Sequence, residues 1–404
     1  MLYLERIEEQ LKEKKEDFVS FGAAQKQDLA QYLSVLDEIS GMTSLEIEKL
    51  ISESENVGAI PSAEIDGLDR FCACFGISWN NHEEARKWAG EVLSGRTTFA
   101  ADGSQYYSEK ETSLPVGAVQ IGWFENPHNS EESYEKDAEL TILSPNDLLK
   151  DQEEPIQPDS RVNEARFIGE VKKVGEFLTK KRGWQDRGER MPLAFFDGTL
   201  LVSFALPQTQ LQKKFIQELI NLVRHSREMK VPFLGYIDRS LSRDLLNLID
   251  AASDKITSRT QTLHDGGLLH SEDADTENVL KNWGDRTPFC YSKRKGLDSF
   301  IDPETERSLV GFTYLQTTGD SLPARLDIPA WVYESGLLDE VLDVVRAECV
   351  IGLGYPYAIE TADQTAVISF RDRQILLGAL QDFAKENKLN FSVSRKNASK
   401  GRRR

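Results

Sequence analysis

Two acidic residues stand at the ends of apolar runs. Phe99-Ala100-Ala101 leads into Asp102-Gly103-Ser104-Gln105, and Leu193-Ala194-Phe195-Phe196 leads into Asp197-Gly198-Thr199. Each run reads as a short buried strand delivering a carboxylate to its end, where glycine lets the backbone turn or another group approach. One Asp-Gly is an ordinary turn signal. Two of them, each after an apolar run, ask for a shared reason. A buried carboxylate is costly unless it is paired or binds a metal. Several carboxylates gathered within a few ångströms repel one another and persist together with a cation, commonly Mg2+ or Mn2+ held through oxygen. Two such ions about 4 Å apart activate a water and stabilise the leaving oxygen in phosphodiester cleavage.

A helix is expected between the two strands. Val162 to Lys181 places Val162, Ala165, Ile168, Val174, Phe177 and Leu178 on an apolar stripe and carries the acids Glu164, Glu170 and Glu176. A strand-helix-strand arrangement would bring both strand-end carboxylates together with one helical carboxylate, and spacing alone does not say which. Asp238 ends a third apolar run, and its neighbour Arg239 reads as an ion-pair partner. Trp331 and Tyr314 read as core. None of the five histidines lies in a recognisable motif. Cys72-Ala73-Cys74 is too tight for a zinc knuckle and falls in a stretch that reads as helical; with Cys290 and Cys349 it reads as reduced thiol, as in the cytosol.

The net charge of −18 argues against a protein that coats nucleic acid non-specifically, because phosphate binding needs clustered Lys and Arg. It leaves a nucleic-acid enzyme open, since metal-binding carboxylates add negative charge of their own. Basic clusters stand at Lys172-Lys173, Lys180-Lys181-Arg182, Lys293-Arg294-Lys295 and in the tail. No apolar run approaches the roughly 18 residues of a membrane span. The charged start, Met1 to Glu8, reads against a secretory signal, so a cytoplasmic location is expected.

Residues 1–95 read as a helical extension, with Thr43 capping one helix and further helices over 65–75 and 83–93. The sheet region follows. Val116–Phe124 is expected to pair as a hairpin with the strand at Phe99, and Leu140–Leu143 reads as a short strand. Further strands are expected at 193–196, at 200–206 as a partner or continuation, and at 231–237, 309–316 and 326–329. Helices are expected at 210–228, 241–252, 337–351 and 372–389, and 253–308 reads as irregular. Strands that then alternate with helices indicate an α/β sheet. The basic tail, 393–404, reads as disordered.

Several of these segments, in this order, resemble the NurA nuclease family. They are Ala101-Asp102-Gly103-Ser104, Phe195-Phe196-Asp197-Gly198-Thr199-Leu200, Leu234–Ser240, Pro323–Trp331 and Gly354-Tyr355-Pro356-Tyr357. The resemblance covers roughly residues 95 to 372; each motif is weak alone, and order and spacing carry the match. It implies an RNase H-like mixed sheet flanked by helices over 96–392. It also implies a manganese- or magnesium-dependent nuclease, with two ions, acting on DNA ends and single strands in double-strand break repair. A homodimer and partnership with the HerA hexameric translocase are implied as well. Residue by residue, it makes Asp102 and Asp197 metal ligands and selects Glu170, since Arg166-Phe167-Ile168-Gly169-Glu170 matches the family's helix segment, with Glu176 as fallback. Tyr355 matches an active-site tyrosine. Eight residues further on the family commonly has histidine after alanine; here the pair is Ala362-Asp363. Aspartate can replace histidine as an oxygen ligand to these ions. The rival is a degenerate member that binds DNA ends or the translocase without cutting. Asp197-Gly198-Thr199 also resembles a haloacid dehalogenase loop but lacks its second aspartate, Thr199 standing there.

Overall fold

Three helices open the chain: α1 (Leu4–Glu13), α2 (Lys15–Ser40) and α3 (Ser44–Leu50). α3 begins where the sequence signals it, in a capping box. The Thr43 hydroxyl accepts from the Glu46 N–H, and the Glu46 carboxylate accepts from the Thr43 N–H. β1 (Gly58–Pro61) and α4 (His82–Leu93) follow, the latter capped by Asn81, whose Oδ1 accepts from the N–H groups of Glu83 and Glu84. β2 (Thr98–Tyr107), β3 (Gly117–Asn126) and β4 (Glu135–Leu143) come next, then α5 (Pro145–Leu149) and α6 (Pro158–Lys181), which has proline in its first turn. After these come β5 (Leu193–Asp197), α7 (Gln210–Met229), β6 (Phe233–Ile237), α8 (Asp244–Ala252), α9 (Asp265–Leu269), β7 (Cys290–Lys293), β8 (Val310–Leu315) and β9 (Ala324–Pro329). α10 (Ala330–Glu334), α11 (Leu338–Ile351), α12 (Tyr357–Ala366) and α13 (Phe370–Glu386) complete the chain. The computed structural model describes residues 2–68, 70–107, 112–149, 157–202, 209–256, 262–271, 273 and 276–392. The tail at 393–404 and most of the expected strand at 200–206 lie outside them.

The chain forms two compact units, each built from two stretches: 79–236 with 331–404, and 1–78 with 237–330. In the first, β2, β3 and β4 form an antiparallel meander; β5 joins the free edge of β2 in parallel, and β6 joins β5 in parallel. Counted within the unit, the strand order is 3-2-1-4-5. That order and those directions define an RNase H-like mixed sheet. β5 and the neighbouring part of β2 are almost wholly buried and apolar, as parallel strands covered on both faces must be. α6 lies on one face of β2 and β3 and α12 on the other.

The second unit holds the antiparallel strands β1, β7, β8 and β9, paired in that order. Its core joins Leu29, Tyr32 and Leu36 of α2 to Leu245, Leu248 and Ile249 of α8. Two expectations fail here. The stretch 65–75 is not a helix: after a short 3-10 turn (Ala63–Gly67) it runs extended, held by a bridge between Ala73 and Arg286. The nominally irregular 253–308 contributes α9 and β7. Both are short pieces ordered by partners distant in sequence, so local periodicity carries little signal of them. Tyr314 and Trp331 are core, as expected. No helix among the described residues is long and apolar enough to cross a membrane.

Candidate active site

The β2–β5 pairing ends at Ala101↔Phe196, one residue before Asp102 and Asp197, so both acids reach the same level of the sheet on neighbouring strands. Successive residues of a strand face opposite sides. Gly103 faces α6, and a Cβ there would stand 2.5 Å from Glu170 Oε1 and 2.6 Å from Arg166 Cγ. Glycine at 103 is therefore what lets the helix and its Glu170 approach the strand. On the opposite face Gly122, the partner of Asp102 across β3, plays the same part for α12: any side chain would run into the backbone at Thr365 and Ala366. α12 carries Asp363.

α12 is tied at both ends. Glu348 of α11, fully buried, accepts from the Ala358 N–H at 2.9 Å in its first turn. Gln120 of β3 donates to the Ala366 carbonyl at 3.0 Å in its last. Burial raises the pKa of Glu348, while His128, 3.6 Å away, and the helix N–H groups pull the other way. Tyr355 precedes α12. Its hydroxyl donates to Asp197 Oδ1 at 3.3 Å, and its ring packs edge-on against Tyr236.

The acids perturb one another. Glu170 is 6 % exposed, and its pKa is pushed up to about 8, chiefly by burial and further by Asp102 and Asp197, with Arg166 opposing. Asp102 rises to about 6, first through burial and then through Asp197 and a side-chain hydrogen bond with Asp363. Asp197 also rises: although it is open to solvent on one side, the protein walling the other desolvates its carboxylate, and Asp363 adds repulsion. Arg166, which sequence reading did not place in the site, lies 3.2 Å from Glu170 and donates to the Gly103 carbonyl. Its position four residues before Glu170 is the signal that could have flagged it.

Asp102, Glu170, Asp197, Tyr355 and Asp363 are therefore interconnected by these interactions. Glu176 is elsewhere, paired with Lys172 and Lys173, and Glu164 is held by Arg161 and Lys214. Asp238 is exposed beyond β6, and among the described residues it forms no ion pair with Arg239, contrary to expectation. The donor set suits a hard cation: it is all oxygen, and the buried Glu170 Oε1 has Arg166 as its ion-pair partner at 3.2 Å. No three of these carboxylates draw their oxygens to within 4.8 Å of one another; among the described residues the group that does is Cys72, Cys74 and Asp285. Ligands to two ions about 4 Å apart spread over more than that span, with each metal–oxygen bond adding about 2 Å.

The five strands form an RNase H-like sheet, with Asp102 and Asp197 just past the last residues paired between its parallel strands β2 and β5. The NurA domain matches residues 96–368, and the chain belongs to the NurA family, which supports a nuclease and hence hydrolase role. No curated protein matches the chain. Among solved structures it is similar to a crystal structure of NurA with manganese (8% identity, TM-score 0.38, covering 72% of this chain and 89% of that one). It is also similar to the catalytic domain of human Endonuclease V (12%, 0.31, 74% and 94%) and to the C-terminal lobe of a budding yeast Argonaute (11%, 0.28, 72% and 52%).

Proposed function

We propose that the chain is a divalent-metal-dependent DNA nuclease that acts on single strands and duplex ends in break repair. The observation that carries it is the meeting of Asp102, Asp197, Glu170 and Asp363, brought from two strands and two helices, where burial and the neighbouring acids raise the proton affinity of Asp102, Asp197 and Glu170. These four would hold Mn2+ or Mg2+, with two ions. Ions held there would supply a water of lowered pKa and charge stabilisation for the departing 3′ oxygen. Tyr355 orients Asp197 through its hydroxyl, and Arg166 offsets the concentrated negative charge. Asp363 stands in for the histidine the family commonly has, giving an all-carboxylate site. Family membership further supports a homodimer and a HerA-like partner in the cytoplasm, which co-purification and light scattering would test.

Cleavage of labelled single-stranded and blunt duplex DNA with Mn2+, Mg2+ or EDTA tests the reading. Metal-dependent cutting lost in both Asp102→Ala and Asp363→Ala is the expected result. Loss in Asp102→Ala alone removes Asp363 from the site. No cutting by wild type with any metal, even with a translocase added, favours the second reading, a non-catalytic DNA-end or translocase-binding subunit, which the Ala362-Asp363 departure motivates.

A further inference from the structure

We propose that Cys72, Cys74 and Asp285 form a second cation site, separate in ligand chemistry from the carboxylate cluster and suited to a thiophilic divalent ion of the zinc class. The stretch around Ala73 is extended. Ala73 N–H donates to the Arg286 carbonyl at 2.7 Å and Arg286 N–H donates back at 3.1 Å, so the flanking cysteines project to one side. Their sulfurs are 3.9 Å apart. A tetrahedral ion with bonds of about 2.3 Å sets two thiolates about 3.8 Å apart, whereas a disulfide needs about 2.05 Å. Two sulfurs in contact would be ordinary packing by themselves; the third donor makes the group a site. Asp285 is 2 % exposed and brings a carboxylate oxygen within 4.8 Å of both sulfurs.

The Asp285 carboxylate is held as a ligating carboxylate would be. Oδ1 accepts from the Phe75 N–H at 3.0 Å, and Oδ2 accepts from the Asn282 N–H at 2.9 Å and its Nδ2 at 3.1 Å. All three donors are neutral, and among the described residues Asp285 forms no ion pair; Arg286 is turned to Glu64. A buried carboxylate without a cation is costly, and Oδ1, which accepts one hydrogen bond here, keeps a lone pair open. Cys74 is exposed, which leaves an entry path and a fourth position for water. Sulfur donors select zinc-class ions over Mg2+. Binding as a dithiolate releases both thiol protons to solvent.

The test is titration of the reduced full-length protein with Co2+ and then Zn2+. One equivalent of Co2+ is expected to give a thiolate-to-cobalt absorption band in the near ultraviolet, which Zn2+ abolishes. Cys74→Ser should remove the band while the circular dichroism stays unchanged, because Cys74 is exposed. Asp285→Asn should weaken binding by at least about tenfold. Asp102→Asn should retain the band, since carboxylates alone cannot produce it. No band at one equivalent, or an undiminished band in Cys74→Ser, overturns the proposal. So does mild oxidation that removes two hydrogens from wild type but not from Cys74→Ser in a protein that shows no cobalt band, which would assign the pair as redox thiols.

Discussion

Glu170 sits at about pKa 8 against an ordinary value of 4.5. The folded protein thus holds this proton more tightly than the unfolded chain, and folding takes one up between those values. Its stabilising share is full below pH 4.5 and lost as pH rises towards 8. Glu170→Gln removes that loss. In EDTA the variant should match wild type near pH 4 and exceed it at pH 9 by up to a few kcal/mol, read from urea unfolding at both pH values. A variant less stable than wild type at pH 9 would mean that Glu170 is comfortably ionised. Two further substitutions separate ligation from positioning. Asp102→Asn should cut metal-dependent cleavage by at least about a hundredfold. Tyr355→Phe removes one long hydrogen bond to Asp197, so its rate should fall by about fivefold to tenfold. Asp102 and Asp197 were legible because each ends an apolar run. Glu170 was not separable from Glu164 and Glu176 by spacing, since all three ride one helix; its burial next to Gly103 singles it out.

At the scale of elements, two close approaches position the chemistry: α6 over Gly103 and α12 over Gly122. Gly103→Ala forces α6 away from β2. It should destabilise by about 1–3 kcal/mol and lower cleavage out of proportion to that loss, seen by comparing the denaturation midpoint with the cutting rate at low temperature. Glu348 secures the first turn of α12 from inside the protein. Glu348→Ala should cost about 1–3 kcal/mol, because it leaves the Ala358 N–H buried without its acceptor. The hairpin β2–β3, α6, α7 and α11 stand close to where periodicity puts them, since each is long and patterned. β1 and β7 were not legible: each has four residues, and they are strands because they pair with each other across more than 200 positions of sequence.

At the scale of the molecule, both units are assembled from stretches far apart in the chain, so their cores depend on long-range closures. Within the 237–330 stretch of the second unit the core is partly ionic. Arg325, fully buried, donates to Asp327 and to Asp244, each at 2.7 Å, while Arg294 also grips Asp244. Asp265 binds the first N–H groups of α8, and its pKa is pushed up to about 7 by burial and by Asp244. Arg325→Ala leaves Asp244 and Asp327 without their buried cation. It should cost about 3–5 kcal/mol in denaturant unfolding, whereas Arg325→Met, which also fills the space over the Phe312 ring, should cost less.

By itself the sequence determined the acidic character, the strand-end aspartates and the order of the long elements, because charge and periodicity are local properties. Tertiary structure decided the rest. It placed Glu170, and not Glu164 or Glu176, against Gly103 of β2, and brought Asp363 of α12 near enough to Asp102 to raise its pKa. It turned Cys72-Ala73-Cys74 from an apparent helical segment into an extended one facing Asp285. Each of these depends on which elements meet, and that is fixed by packing between residues far apart in the chain rather than by their neighbours along it.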